Sequence, residues 1–146
     1  MGEESMRKFY IFKIRDDYQN LYSQNPESLY HVLKYLYYLK PEENKYGIEL
    51  FHQLVEMIDK TILNREIFIK YHSQRIYSKI GNIHIINDLY HDEISTLNIK
   101  HSYILLESKH NASTFFQILL EESNAFFLCD FKNQDYFWLS EVKTLV

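Results

Sequence analysis

Glycine and proline are scarce in this sequence of 146 residues, which contains only 3 Gly and 2 Pro. Gly2, Gly47 and Gly81 lie far apart, so none of them has a second glycine nearby. Loops that cradle phosphate groups need closely spaced glycines, because their backbone N–H groups must approach the ligand. The sequence therefore argues against a P-loop or a dinucleotide-binding site.

Cysteine is nearly absent, and the single Cys129 cannot form a disulfide within the chain. It lies in the apolar run of residues 126–129, where a cysteine usually packs as a small hydrophobic side chain. A chain without disulfides suits a reducing compartment, so we expect a cytoplasmic protein. No stretch approaches the ~20 apolar residues that span a bilayer, and we expect no membrane association.

The sequence also lacks an excess of positive charge, since 16 Lys and Arg residues stand against 20 Asp and Glu residues and give a net charge of -4. Proteins that bind nucleic acids need clustered Lys and Arg to displace counterions from the phosphates. The basic residues here are scattered among acidic ones. We therefore expect no direct DNA binding.

Recognised catalytic and metal-binding patterns are missing. Seven histidines are present, but no pair has HExxH or HxH spacing, and Gly-x-Ser-x-Gly does not occur. His91, Asp92 and Glu93 form the densest cluster, which we interpret as a solvated turn because neighbouring strand residues point to opposite faces. The paired Glu121 and Glu122 point in different directions on a helix. We expect no enzyme, metal, cofactor or small-molecule substrate; the alternative is a small enzyme or ligand-binding domain whose polar site only folding assembles.

Aromatic residues, in contrast, are abundant: they make up 16% of the chain, with 13 Tyr and 10 Phe. Tyrosine is amphipathic and common at binding surfaces, so this excess favours a protein that binds another protein. A genome of low GC content would also raise the number of tyrosines, and we expect both causes to contribute.

The first part of the chain predicts one strand followed by helices. Residues 8–15 (KFYIFKIR) are apolar on both faces, which is typical of a central strand. A short helix follows at Asp16, on which Tyr18 and Tyr22 share a face and Leu21 is expected to point inward. Asn25 and the proline after it begin a second helix that should end at Pro41.

The remaining elements complete a mixed fold. We predict a third helix over residues 48–60, and residues 61–73 fit a further helix slightly better than a strand. Short Ile-rich strands follow over residues 75–108. Thr114 opens a last helix with a capping-box pattern, and a hairpin of two strands surrounds residues 132–135. The fold class is therefore α/β (α+β), with a single mixed β-sheet of about five strands packed with four or five helices. We expect one domain over residues 6–146, preceded by a flexible extension or cloning remnant at residues 1–5.

Both ends of the chain resemble one known family. The segments FYIFKIRDDYQNLY and FFQILLEESNAFFLCDFKNQDYFWLSEVK are similar to the sporulation inhibitor of replication family, SirA. The resemblance implies a cytosolic protein of Gram-positive bacteria with low GC content. It also implies that the protein binds the N-terminal domain of the replication initiator DnaA, and so restrains new rounds of replication as cells enter sporulation. Catalysis, metals and cofactors are not implied.

The resemblance also suggests which residues contact the partner. The aromatic residues that the family uses on the helix after the first strand correspond to Tyr18 and Tyr22. A second part of that surface falls around His52 to Val55. A third part follows Trp138, where a family proline is replaced by Glu141, which adds charge and removes a rigid φ. Trp138 itself is expected to lie in the core.

Overall fold

The computed structural model describes residues 6–39 and 44–142. The extension predicted at residues 1–5, Pro41 and the final residues 143–146 lie outside the described residues. The second helix, predicted to end at Pro41, already ends at Tyr37. The described part contains five α-helices and eight β-strands, with a short 3-10 helix at Leu139–Glu141. In chain order these are β1 (Arg7–Ile14), α1 (Asp16–Tyr22), α2 (Pro26–Tyr37), α3 (Asn44–Leu54), β2 (Val55–Glu56), α4 (Lys60–Tyr71), β3 (Tyr77–Ile80), β4 (Ile83–Asp88), β5 (Glu93–Ile99), β6 (Ile104–Ser108), α5 (Phe115–Glu122), β7 (Phe126–Asp130) and β8 (Asp135–Trp138).

All eight strands belong to one sheet with the order β3-β4-β5-β6-β1-β7-β8, and β2 pairs with the end of β1. The prediction that β1 is a central strand is confirmed, because it pairs with β6 on one side and with β7 on the other. Phe9 and Ile11 on one face of β1, and Phe12 and Ile14 on the other, are all buried. A strand with two apolar faces needs such a position, since either face would otherwise meet water.

The sheet corrects two parts of the predicted fold class. It has eight strands rather than about five, and every strand pairing in the described residues is antiparallel rather than mixed. Part of the difference comes from β2, which lies inside the predicted third helix and forms through its pairing with β1. Another part comes from the two-residue turn at Gly81, whose positive φ of 59° allows β3 to fold back on β4.

Helices pack on both faces of the sheet and create two hydrophobic cores. α4 and α5 cover one face, where Ile67 and Leu119 pack with Phe9 and Ile11. α2 and the end of α3 cover the other face, where Leu29 packs with Phe12 and Ile14. The side chain of Cys129 is completely buried in the second core, as its apolar neighbours predict.

The second face of the sheet is covered over only half of its width. Among the described residues, the core beneath α2 draws strand side chains from β1, β2, β7 and β8, and none from β3, β4 or β5. Those three strands bury side chains against α4 and α5, including Ile86, Leu97 and Ile99. Their other face therefore remains open to solvent.

Candidate partner-binding surface

Tyr18 and Tyr22 lie on the same face of α1, as their spacing of four residues predicts. Their rings stack with centroids 6.5 Å apart and an interplanar angle of 20°. Both side chains are half-buried and pack against the core beneath α2. α1 contains no fully buried residue, so this surface helix packs against the domain through the tyrosine pair.

Hydrogen bonds to distant parts of the chain hold α1 in place. At its N-terminus, the backbone N–H of Arg15 donates to Leu54 O at 3.0 Å, and the Arg15 Nε donates to His52 O at 2.8 Å. In the middle of the helix, the Gln19 side chain donates to Asn124 O at 3.1 Å. Because a helix of seven residues is not stable alone in water, these contacts determine its position.

The C-terminal segment meets the other end of α1. Trp138 is buried, as expected, and its indole N–H donates to Tyr22 O at 3.3 Å. Leu139 is buried against the opposite core, so the two residues fix the start of the 3-10 helix. Glu141 ends this helix and is exposed. The structure thus connects the segment that carries Glu141 to the helix that carries the tyrosine pair.

The region around His52 contributes one accessible residue and one inaccessible residue. His52 is exposed near the end of α3, and its carbonyl accepts the Arg15 hydrogen bond that anchors α1. Val55 is fully buried in β2, where it pairs with Ile14. The Val55 side chain therefore offers no surface to a partner in this structure, and its place in the site is to hold the end of α3 against β1.

Leu21 differs from its prediction, since 63% of its side chain surface is exposed instead of facing inward. The prediction for Leu21 is wrong because α1 contacts the domain through its two tyrosines instead. An exposed leucine beside two half-buried tyrosines extends the apolar area of α1. Asp16 and Asp17 in the first turn add exposed carboxylates to the same helix.

The paired carboxylates suggested by the sequence are arranged differently in the structure. The pKa of Glu122 is raised to about 7, mainly by a hydrogen bond with Glu66 of α4 and to a smaller extent by burial, although the positive charge of Lys13 opposes the shift. Glu122 is nevertheless exposed at the end of α5. His91, Asp92 and Glu93 do not converge, because His91 contacts Asp88 whereas Asp92 pairs with Lys109 and His110.

A cavity of about 760 Å³ provides the most obvious place for a small ligand, beside Arg7, Asp130, Tyr10 and Phe131. Two of its charged groups already pair with each other, since Arg7 contacts Asp130 at 2.8 Å. Burial tends to raise the pKa of Asp130, but hydrogen bonds from Asn133 and Arg7 outweigh it and keep that pKa below its usual value. None of its lining residues within the described ranges is a histidine, so this cavity does not show the converging histidine and carboxylate side chains that would favour the enzyme alternative.

Within residues 6–39 and 44–142, no group of three or more His, Cys, Asp or Glu side chains is placed to hold a metal ion. None of the helices in these ranges is long and apolar enough to cross a membrane.

Comparison with curated protein sequences finds no match. The sequence model of one family, described as sporulation inhibitor of replication protein SirA, matches residues 7–143. This match includes α1, the end of α3 and the 3-10 helix, so it spans all three parts of the candidate surface. The family is regulatory rather than enzymatic. The chain therefore belongs to the SirA family of sporulation inhibitors of replication.

Proposed function

We propose that this protein is a negative regulator of chromosome replication initiation that binds the N-terminal domain of DnaA through the aromatic surface of α1. The observation that carries the proposal is the stacked pair of half-buried tyrosines on a helix without a fully buried residue. Membership of the SirA family supports the inhibitory role. In a host that sporulates, the protein would act as cells enter sporulation, in the cytoplasm and without contacting DNA itself.

The proposed interface is organised around Tyr18, Tyr22 and Leu21, with His52 and Glu141 at its edges. Tyrosine side chains make strong anchors because they bury a large rigid area and lose little conformational entropy. The hydrogen bonds from Arg15, Gln19 and Trp138 support this role, because a helix that is already held in place loses less freedom on binding. Occupying this surface of DnaA would block initiator self-association, or displace its activators and helicase-loading partners.

The test is calorimetric titration of purified DnaA N-terminal domain with wild-type protein and with the variants Tyr18→Ala and Tyr22→Ala. Loss of a buried aromatic anchor typically costs ~2 kcal/mol or more, so each variant should bind about thirtyfold more weakly. Tyr90→Ala is the matched control, because Tyr90 is 91% exposed in the turn between β4 and β5. Circular dichroism should show that all three variants remain folded.

Two results would separate the parts of this proposal. If wild-type protein binds and both α1 variants bind equally well, the site is wrong although the partner is right. If wild-type protein does not bind the DnaA domain at all, the partner itself is wrong.

A further inference from the structure

The open face of the sheet is nearly free of charge. It is formed by the outward side chains of β3, β4, β5 and β6, whose register places them on the face away from α4 and α5. Glu107 is the one charged residue in this set, and Lys8 lies directly across from it on β1. The set consists of Ser78, Ile80, Ile83, Ile85, Asn87, Ile94, Thr96, Asn98, Leu105 and Glu107.

The solvent-exposed face of an antiparallel sheet usually carries polar and charged residues, because it meets water. Here Ile80, Ile83 and Ile94 remain 69%, 37% and 39% exposed. Exposed isoleucines grouped on one face in this way are a mark of an interaction surface.

The register arranges four residues of this face and Tyr10 of β1 in a row across the strands. Tyr10 on β1 pairs with Leu105 on β6, and Leu105 pairs with Asn98 on β5. Asn98 pairs with Ile83 on β4, which in turn pairs with Ile80 on β3. Asn98 is therefore the centre of the row, with two strands on each side.

The row ends at a step between the open sheet and the helical layer. Tyr10 contacts Tyr37 of α2, with ring centroids 5.1 Å apart and hydroxyl oxygens 3.1 Å apart. A mostly apolar cavity of about 270 Å³ lies in the corner of the step. Its lining consists of Tyr10, Phe12, Leu33, Leu36, Tyr37, Phe51, Ser102 and Tyr103.

We propose that the open face binds the open face of a second copy of this chain, with a twofold axis that runs along β5 at Asn98. Rotation about this axis places Ile80 of one copy against the corner cavity at Tyr10 of the other, and Ile83 against Leu105. Asn98 meets its own equivalent, and an amide side chain can both donate and accept a hydrogen bond. The exposed Ile80 at one end of the row thus meets the apolar cavity beside Tyr10 at the other end.

The dimensions of the step favour a second copy as the occupant. Stacked sheets pack ~10 Å apart, which is close to the ~10–12 Å diameter of the helices that form the step. The helical layer of each copy would therefore end beside edge strand β3 of the other. Aligned packing of the two sheets, with nearly parallel strands, is a common arrangement for sheets that meet face to face.

The charge and area of the face support the same occupant. Each copy carries a net charge of -4, but its open face contributes only Glu107, which Lys8 can neutralise. Four strand spacings of ~4.8 Å and six residues at ~3.3 Å give roughly 400 Å² of projected face in each copy. The faces of two copies, together with the contacts at the step, would bury a total of about 1,000 Å², which is the lower limit for a specific interface. We therefore expect a dimer that dissociates at micromolar concentration.

The first test is sedimentation equilibrium of the full chain over a concentration series up to about 200 µM, a range that detects micromolar dissociation constants. The average mass of wild-type protein should rise from 17.8 kDa toward twice that value. Ile83→Arg should remain monomeric, whereas Leu89→Arg should dimerise normally, because Leu89 is 88% exposed in the turn after β4. Ile80→Arg replaces Ile83→Arg if circular dichroism shows that the latter is unfolded.

The second test concerns the position of the axis. Asn98→Asp and Asn98→Lys should each prevent self-association, because each places two like charges against each other at the axis. An equimolar mixture of the two variants should recover a dimer. A wild-type protein that stays monomeric, a dimer that Ile83→Arg leaves intact, or a mixture that remains monomeric while wild type dimerises would each overturn the proposed interface.

Discussion

At the scale of single residues, the position of a tyrosine in the fold determines what it does. Tyr30 and Tyr71 are each 2% exposed and act as core residues, one beneath α2 and the other beneath α4. Tyr18 and Tyr22 are half-buried and stack on the surface helix α1. The high tyrosine content therefore does not define a single surface. The pair on α1 combines partial burial with ring stacking on a helix that has no fully buried residue, which fits an interface anchor.

A second residue with an unusual environment is His84, which is completely buried on β4. Its Nδ1 lies 2.8 Å from the Tyr77 hydroxyl, and its Nε2 lies 2.8 Å from Asn64 Oδ1. The amide oxygen can only accept, so Nε2 carries the proton and Nδ1 accepts from the tyrosine. Burial, and then the positive charge of Lys79, lower the pKa of His84 to about 4.

We predict that neutral His84 makes the protein less stable as the pH falls from about 6.5 toward 4. In that window the unfolded chain binds a proton at this histidine whereas the folded chain does not, so the free energy of unfolding decreases by on the order of 2 kcal/mol. Urea unfolding of wild type and His84→Gln at pH 7.5 and pH 5 measures the effect. The variant should lose less stability than wild type between these pH values; equal losses would show that His84 is not held neutral.

At the scale of elements, α5 begins through a contact that is distant in the sequence. The helix starts after Thr114, as predicted, but Thr114 makes no side-chain cap of its own helix. Glu93 of β5 instead accepts the backbone N–H of Thr114 at 2.8 Å, together with its hydroxyl group. Ser95 also donates to Glu93 at 2.8 Å, so the carboxylate joins the sheet to the start of the helix.

We predict that Glu93→Ala destabilises the protein by about 1–2 kcal/mol, because it removes the acceptor for two donors at the start of α5 and a negative charge near the positive end of the helix dipole. Glu93→Gln should have a smaller effect, since its amide oxygen can still accept. Chemical denaturation gives the three free energies, and Glu49→Ala at an exposed position of α3 serves as the control. Equal stability of Glu93→Ala and wild type would rule out this capping role.

The elements that the sequence predicts well are those determined by nearby residues. The start of α2 follows from the proline in its first turn, although the predicted cap Asn25 makes no side-chain capping hydrogen bond. The β7–β8 hairpin follows from the polar turn between two aromatic strands. The spacing of Tyr18 and Tyr22 is likewise a local property of a helix. The strand β2 and the burial of Val55 depend on pairing with β1, and the cap of α5 depends on a side-chain hydrogen bond to Glu93, so periodicity within one segment cannot reveal them.

At the scale of the whole molecule, the sheet is asymmetric. β1 is paired on both sides and buried on both faces, whereas β3 is an edge strand of four residues with one neighbour. The two cores lie on opposite faces of β1, whereas toward β3 the helices in the described part of the chain that cover the sheet are α4 and α5, on one face. The number of strands could not be derived from composition, because it depends on how far hairpins extend the sheet beyond the part that both helical layers cover.

This asymmetry predicts a gradient of backbone hydrogen exchange. Amides of Phe9 and Ile11 in β1 should exchange only through global unfolding, whereas those of β3 should exchange through local fraying, at least about 1,000-fold faster if the two openings differ by ~4 kcal/mol. Mass spectrometry of peptic fragments measures this exchange. Protein at about 5 µM would be mostly monomeric and protein at about 200 µM mostly dimeric, if the dimer dissociates at micromolar concentration. Face-to-face dimerisation should slow exchange in β4 and β5 at the higher concentration, while edge-to-edge pairing would protect an edge strand, β3 or β8, and leave β4 and β5 unchanged. Exchange in β1 as fast as in β3 would contradict the central position of β1 in the stability of the fold.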